Sequence, residues 1–246
     1  KEAEQAKQAL QRTLEQASCD SNVLRLPSTW SAVRDPYSLL VEKVLVADGP
    51  ERREVEAAFL RTLDPRSFNV VDVHRVENAS MWRCFAVKRH CMGVREKADA
   101  VGLVSSSPSS AGTASFEPFE RRWLFHGTNE AVVDAIIQQG FNRSFTGTNV
   151  GAKYGKGVYF ARDAEYSADK QYSRPGADGV KYMLLCRVAV GHYCKGEEDA
   201  LTPAVRHDHV RCDSTCDKVD NPSIFVTYHD SQAYPEYLVR FRATTR

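Results

Sequence analysis

Two short runs carry the side chains best suited to chemistry, Leu124-Phe125-His126-Gly127-Thr128 and Tyr154-Gly155-Lys156-Gly157-Val158-Tyr159-Phe160-Ala161. Each joins a β-prone apolar stretch to polar groups at one end. A histidine and a tyrosine brought to one cleft by two strand ends suit a flat, polar, phosphate-bearing ligand. Gly127, Gly155 and Gly157 let backbone come close to it. His126 alone would pass for a core histidine, and the tyrosines for core packing. Their joint occurrence in two matched runs is what separates them from that reading.

Other chemistries fit less well. Gly151-Ala152-Lys153-Tyr154-Gly155-Lys156-Gly157 is one residue short of a phosphate-binding P-loop and puts glycine where a Ser or Thr would hold magnesium. The dinucleotide fingerprint Gly-x-Gly-x-x-Gly is missing. His207, His209, Cys212 and Cys216 are acceptable zinc ligands, but their close spacing is no standard zinc pattern, and no metal is expected.

Further runs extend the pattern: Gly140-Phe141-Asn142-Arg143-Ser144, Tyr172-Ser173-Arg174-Pro175, Pro222-Ser223-Ile224-Phe225-Val226 and Gln232-Ala233-Tyr234-Pro235-Glu236-Tyr237-Leu238. In this order and spacing they resemble the catalytic domain of the poly(ADP-ribose) polymerase superfamily. The resemblance is closest to its mono-ADP-ribosyltransferase branch, whose members often carry macrodomains or WWE domains. It covers residues 27–243 and implies NAD as co-substrate. By resemblance, His126, Tyr159 and Ile224 occupy the three catalytic positions. His126 and Thr128 meet the adenosine-side ribose, and the Gly127 backbone and Ser167 hydroxyl meet the carboxamide. Tyr159 and Tyr172 sandwich the nicotinamide ring. Ile224 stands where the polymerases have glutamate, so chain elongation is expected to fail. Transfer of one ADP-ribose to protein Asp or Glu side chains, including the chain's own, is expected to survive. The rival reading is a non-catalytic domain that binds NAD, ADP-ribose or partners.

The elements that would position these residues give an α+β fold: a split, mixed or antiparallel sheet with short flanking helices. Residues 1–22 read as a weakly amphipathic helix or linker, and 23–246 as the catalytic domain, with a flexible Ser-rich loop over 94–118. Strands are expected over 37–47, 68–76, 159–161, 182–190, 224–228 and 237–241. Helices are expected after Gly49-Pro50 to about Leu63, over 78–92, from Asn129 to Gly140, and over 163–171. Residues 195–221 read as a long polar connection.

A net charge of +1 leaves no footprint for nucleic acid or an acidic membrane, although a nucleic-acid acceptor stays open. The seven scattered cysteines point to a reducing compartment, cytoplasmic or nuclear. No apolar run is long enough to span a bilayer, and a chain opening on Lys1 is expected to be a monomeric domain of a larger protein.

Overall fold

The computed structural model describes residues 23–30, 41–100, 115–116, 120–145, 152–207 and 209–244. The expected N-terminal helix or linker, residues 37–40 of the first strand and the Ser-rich run 105–113 lie outside them. The elements are β1 (Val41–Leu45), α1 (Pro50–Leu60), β2 (Phe68–Asn78), α2 (Ala79–Ala100), β3 (Ser115–Phe116), β4 (Arg121–Thr128), α3 (Glu130–Gln139), β5 (Val158–Ala161), α4 (Ala164–Ala168), β6 (Lys181–Val188), β7 (His192–Lys195), β8 (Val205–His207), β9 (Val210–Arg211), β10 (Ser214–Cys216), β11 (Ile224–Thr227) and β12 (Ala233–Ala243). Short 3-10 turns occupy Arg143–Phe145 and Asp230–Gln232.

Among the described residues, ten strands form one sheet in the order β1-β2-β12-β6-β4-β5-β11-β10-β7-β3, and β8 and β9 pair separately. Every pairing in the large sheet is antiparallel except β10 with β7. The sheet is split. Among the described residues the ladder register between its two halves is the pair Phe125 of β4 and Ala161 of β5, and there the cleft opens.

β6 sits inside the larger half and is apolar on both faces, as a strand covered on both sides must be. Leu184, Cys186 and Val188 pack in one core with Val133, Ile137 and Phe141 beside α3. Met183 and Leu185 face the other core, with Val55 and Phe59 of α1. α1 starts at Pro50, whose fixed φ suits a first helical position. α3 is capped at both ends: the Asn129 side chain accepts from Ala131 N–H at 3.0 Å, and Gly140, at φ 87°, donates to the Ile136 carbonyl.

Three expectations need correction. α2 continues through Ala100, into the stretch expected to be loop from residue 94, and β3 interrupts that stretch again. No Pro or Gly breaks Val94–Ala100, so the helix runs on. The connection 195–221 is not simply polar loop, because β10 joins the main sheet with all three residues buried. The last strand begins at Ala233, with a register shift between Pro235 and Tyr237 absorbing the proline.

Candidate functional site

The cleft begins where β4 and β5 part. Continued past Phe125–Ala161, the register would set Gly127 opposite Tyr159. Instead, His126 Nδ1 lies 2.8 Å from the Tyr159 carbonyl oxygen. That carbonyl can only accept, so Nδ1 carries the proton. The imidazole therefore takes the ladder position that Gly127 would have filled. Backbone groups two residues apart point to the same side of a strand. The Phe125 carbonyl accepts from Ser167 Oγ at 3.1 Å, so the Gly127 N–H and C=O face the same gap.

Burial pushes the His126 imidazole below its ordinary pKa, and the hydrogen bond to Tyr159 opposes this only in part. The ring is neutral at pH 7, with Nε2 as an acceptor for a ligand hydroxyl. Phe141 and Phe160 pack on it, with ring centroids 5.0 and 5.6 Å away. Thr128 follows on the same face and is nearly enclosed.

Tyr159 is held at its tip. Its hydroxyl donates to the Gly155 carbonyl and accepts from the Tyr154 N–H, both at 2.9 Å. Burial pushes its pKa up to about 12, so it serves as a fixed neutral platform and not as an acid or base. Gly155, at φ 114°, lets the loop pass Tyr228: a Cβ there would lie 1.8 Å from the Tyr228 hydroxyl oxygen.

α4 forms the opposite wall. Ser167 and Ser173 are buried, and Ser173 Oγ lies 2.9 Å from both the Ser167 and Tyr182 carbonyls. Tyr172 does not face Tyr159 ring to ring within the protein. It stacks on Tyr166, with centroids 4.8 Å apart, an interplanar angle of 25°, and hydroxyls 2.5 Å apart. Sequence reasoning missed Tyr166; at an exposed position of a short helix it gave no signal beyond being aromatic.

Ile224 opens β11 opposite Ala161 and is 3% exposed. It packs with Ala161, Val226 and Tyr228, with Tyr159 against them. Asp217, also missed, sets the turn before it by accepting from the Ser223 N–H at 2.9 Å, Ser223 Oγ at 2.5 Å and the Ile224 N–H at 3.1 Å. Burial alone would raise the Asp217 pKa, but these donors hold it below the usual carboxylate value. His126, Gly127, Tyr159, Ser167, Tyr172 and Ile224 thus surround one split in the sheet. Of the four residues weighed as zinc ligands, Cys212 and Cys216 are buried, with Cys216 Sγ 3.4 Å from the Cys194 carbonyl. Among the described residues no three His, Cys, Asp or Glu side chains converge as a metal site.

The model of the poly(ADP-ribose) polymerase catalytic domain matches residues 50–200, more than half of the chain. The chain belongs to this family. It is 33% identical over 220 residues to human protein mono-ADP-ribosyltransferase PARP14, covering 88% of this chain and 11% of that protein. It is 31% identical over 223 residues to human PARP12, covering 90% and 28%. Against mouse PARP10 it is 43% identical over 118 residues, covering 47% and 12%. The chain therefore spans a minor part of these curated relatives. The poly(ADP-ribose) polymerase family uses NAD as co-substrate. Among the described residues no helix is long and apolar enough to cross a membrane.

Proposed function

We propose that this domain transfers one ADP-ribose from NAD to a protein side chain, an Asp or Glu carboxylate, and releases nicotinamide. The carboxylates modified include some of its own. The Gly127 N–H and C=O pair with the two faces of the nicotinamide carboxamide, and Ser167 Oγ adds a third hydrogen bond. Tyr159 and Tyr172 hold the ring between them, and His126 Nε2 accepts from the adenosine-side ribose, near Thr128. Held this way, the reactive ribose carbon faces the Ile224 side of the cleft.

Breaking the glycosidic bond sends its electron pair to the nicotinamide nitrogen and leaves positive charge on the ribose. A carboxylate at the third catalytic position would stabilise that charge and deprotonate the hydroxyl that extends a chain. The observation that carries the mono-transfer reading is Ile224 itself, enclosed among Ala161, Val226 and Tyr228. Isoleucine performs neither task. An acceptor carboxylate supplies the missing negative charge and attacks without losing a proton, forming an ester at the ribose carbon. A hydroxyl acceptor finds no base in Ile224.

Incubating the purified chain with labelled NAD, followed by gel and mass spectrometry, tests this. The expected result is nicotinamide release and adducts of single ADP-ribose units on acidic residues, both lost in His126→Ala. Long chains would overturn the assignment of Ile224. Absence of nicotinamide release with NAD still bound would leave a binding domain.

A further inference from the structure

We propose that Thr215 and Tyr228 are positioning residues for the nicotinamide: they fix the loop that holds the Tyr159 ring in place. This inference rests on the reading of Tyr159 as one face of the nicotinamide site. Strand register brings the three residues together. Residues directly paired across strands share a face. Tyr159 of β5 pairs with Val226 of β11, and Val226 pairs with Thr215 of β10. Thr215 therefore lies on the Tyr159 face two strands away, or about 10 Å at the usual strand spacing. Tyr228 follows Val226 by two residues and packs in one cluster with Ile224, Val226 and Tyr159. The loop from Tyr154 to Gly157 bridges the distance between them.

Three successive peptide groups of this loop are fixed. The outer two hold the Tyr159 hydroxyl, which accepts from the Tyr154 N–H and donates to the Gly155 carbonyl, both at 2.9 Å. Between them lies the peptide that joins Tyr154 to Gly155. Its carbonyl accepts from Thr215 Oγ1 at 2.7 Å, and its N–H donates to the Ala152 carbonyl at 2.9 Å. The Lys156 N–H then donates to the Ala200 carbonyl at 2.7 Å. The Tyr228 hydroxyl lies 3.1 Å from Thr215 Oγ1 and 3.3 Å from the Tyr154 carbonyl oxygen. With the Thr215 proton on that carbonyl, Tyr228 is the donor to either oxygen. Burial raises the Tyr228 pKa, so the hydroxyl keeps its proton.

The middle peptide is the weak point of this arrangement. Gly155, at φ 114° and without a Cβ, resists its rotation little. Thr215 and Tyr228 are almost fully buried, so a donor lost from either is not freely replaced by water. When the middle peptide turns, the two groups that hold the Tyr159 hydroxyl move with it. The ring then has to be ordered anew each time a ligand stacks on it, and affinity for nicotinamide falls. The adenosine side, at His126 and Thr128, does not depend on this peptide. Thr215 and Tyr228 act on one half of NAD only, and they act through Tyr159.

Binding of the two halves of NAD tests this. The purified chain is titrated with nicotinamide and, separately, with ADP-ribose, and both are followed by NMR. Thr215→Val keeps the β-branched shape and removes the hydroxyl, whereas Thr215→Ser keeps the hydroxyl. Thr215→Val is expected to raise Kd for nicotinamide about three- to tenfold and to leave Kd for ADP-ribose within about twofold. Thr215→Ser should restore most of the loss. Tyr228→Phe keeps the buried ring and should raise Kd for nicotinamide about two- to threefold, because Thr215 still donates to Tyr154. Nicotinamide affinity unmoved in Thr215→Val would overturn the inference. So would an equal loss of ADP-ribose affinity, the mark of a general disturbance, or a Thr215→Ser variant no better than Thr215→Val. If Thr215→Val does not fold, Tyr228→Phe decides: nicotinamide affinity unmoved there would overturn the inference. An unaltered chain that binds ADP-ribose but not nicotinamide would overturn it together with the Tyr159 site. The expected affinities without transfer from NAD would count against the transferase reading and not against the positioning role.

Discussion

His126 works through which nitrogen bears the proton. The Tyr159 carbonyl fixes the proton on Nδ1, and burial keeps a second proton off Nε2. Protonating the ring would turn the acceptor at Nε2 into a donor and remove what a ribose hydroxyl needs. The folded pKa lies below the unfolded value of about 6.5. The unfolded chain thus binds more protons between the two values, and stability falls as pH drops from about 6.5 to the folded pKa. His74 and His229 are also lowered, burial being the largest cause for each, so the stability change is shared. The kinetic change should belong to His126: kcat/KM for NAD is expected to fall at the folded pKa of His126, below about 6.5, as the medium is acidified. A pH profile of nicotinamide release between about pH 5 and 8 reads this directly. In His126→Gln, whose amide cannot titrate, the remaining activity should lose that acidic limb; a limb that persists would assign it to another group.

At the scale of elements, α4 and the segment after it are a wall assembled from hydrogen bonds more than from a helix of five residues. Ser167 ties it to β4, Ser173 ties it to itself and to β6, and Tyr166 props Tyr172. Gly127 is part of this closure: a Cβ there would lie 2.5 Å from the Ser167 carbonyl oxygen and 2.8 Å from Tyr172 Cβ. Replacing Gly127 with Trp would therefore displace the wall as well as fill a pocket, which makes it a poor test of the site. Tyr166 is the better probe. Tyr166→Phe keeps the stacked ring and loses the hydroxyl contact, so KM for NAD is expected to rise about two- to fivefold with kcat little changed. Tyr166→Ala removes the prop and should raise KM further. Steady-state kinetics on the two variants checks this, and equal KM values in all three proteins would show that Tyr172 stands unaided. The sequence singles out Tyr172 by resemblance but not its prop, because ring-on-ring support between residues six apart leaves no periodicity in so short a helix.

Across the whole molecule, what could be read in the sequence was what periodicity and breakers encode. The buried run of β6, the capped α3 and the His126 and Tyr159 runs at the split all fall where expected. β10 was hidden because its residues are polar yet buried, with Ser214 Oγ on the Val190 carbonyl and Thr215 Oγ1 on the Tyr154 carbonyl, both at 2.7 Å. Glu51 is a related case. In a charged run at the start of α1 it looks solvated, but both its oxygens accept from Arg75 Nη1, at 2.7 and 2.8 Å, and one accepts from the Tyr237 hydroxyl at 2.7 Å. Arg75 also pairs with Glu77, which is 1% exposed. This network fastens α1 to β2 and β12. Removing Arg75 takes an ion-pair partner from the buried Glu77 and from the part-exposed Glu51, a loss of up to about 3–5 kcal/mol and a large part of a domain's stability. Arg75→Met should accordingly lower Tm by about 6–20 °C for a domain of this size. Replacing Arg75 and Glu77 together with apolar residues should recover part of that loss, because one of the stranded charges goes too. Thermal unfolding of the single and double variants measures both effects. A double variant no more stable than Arg75→Met would place the loss in the packing of the Arg75 stem instead of in its charge.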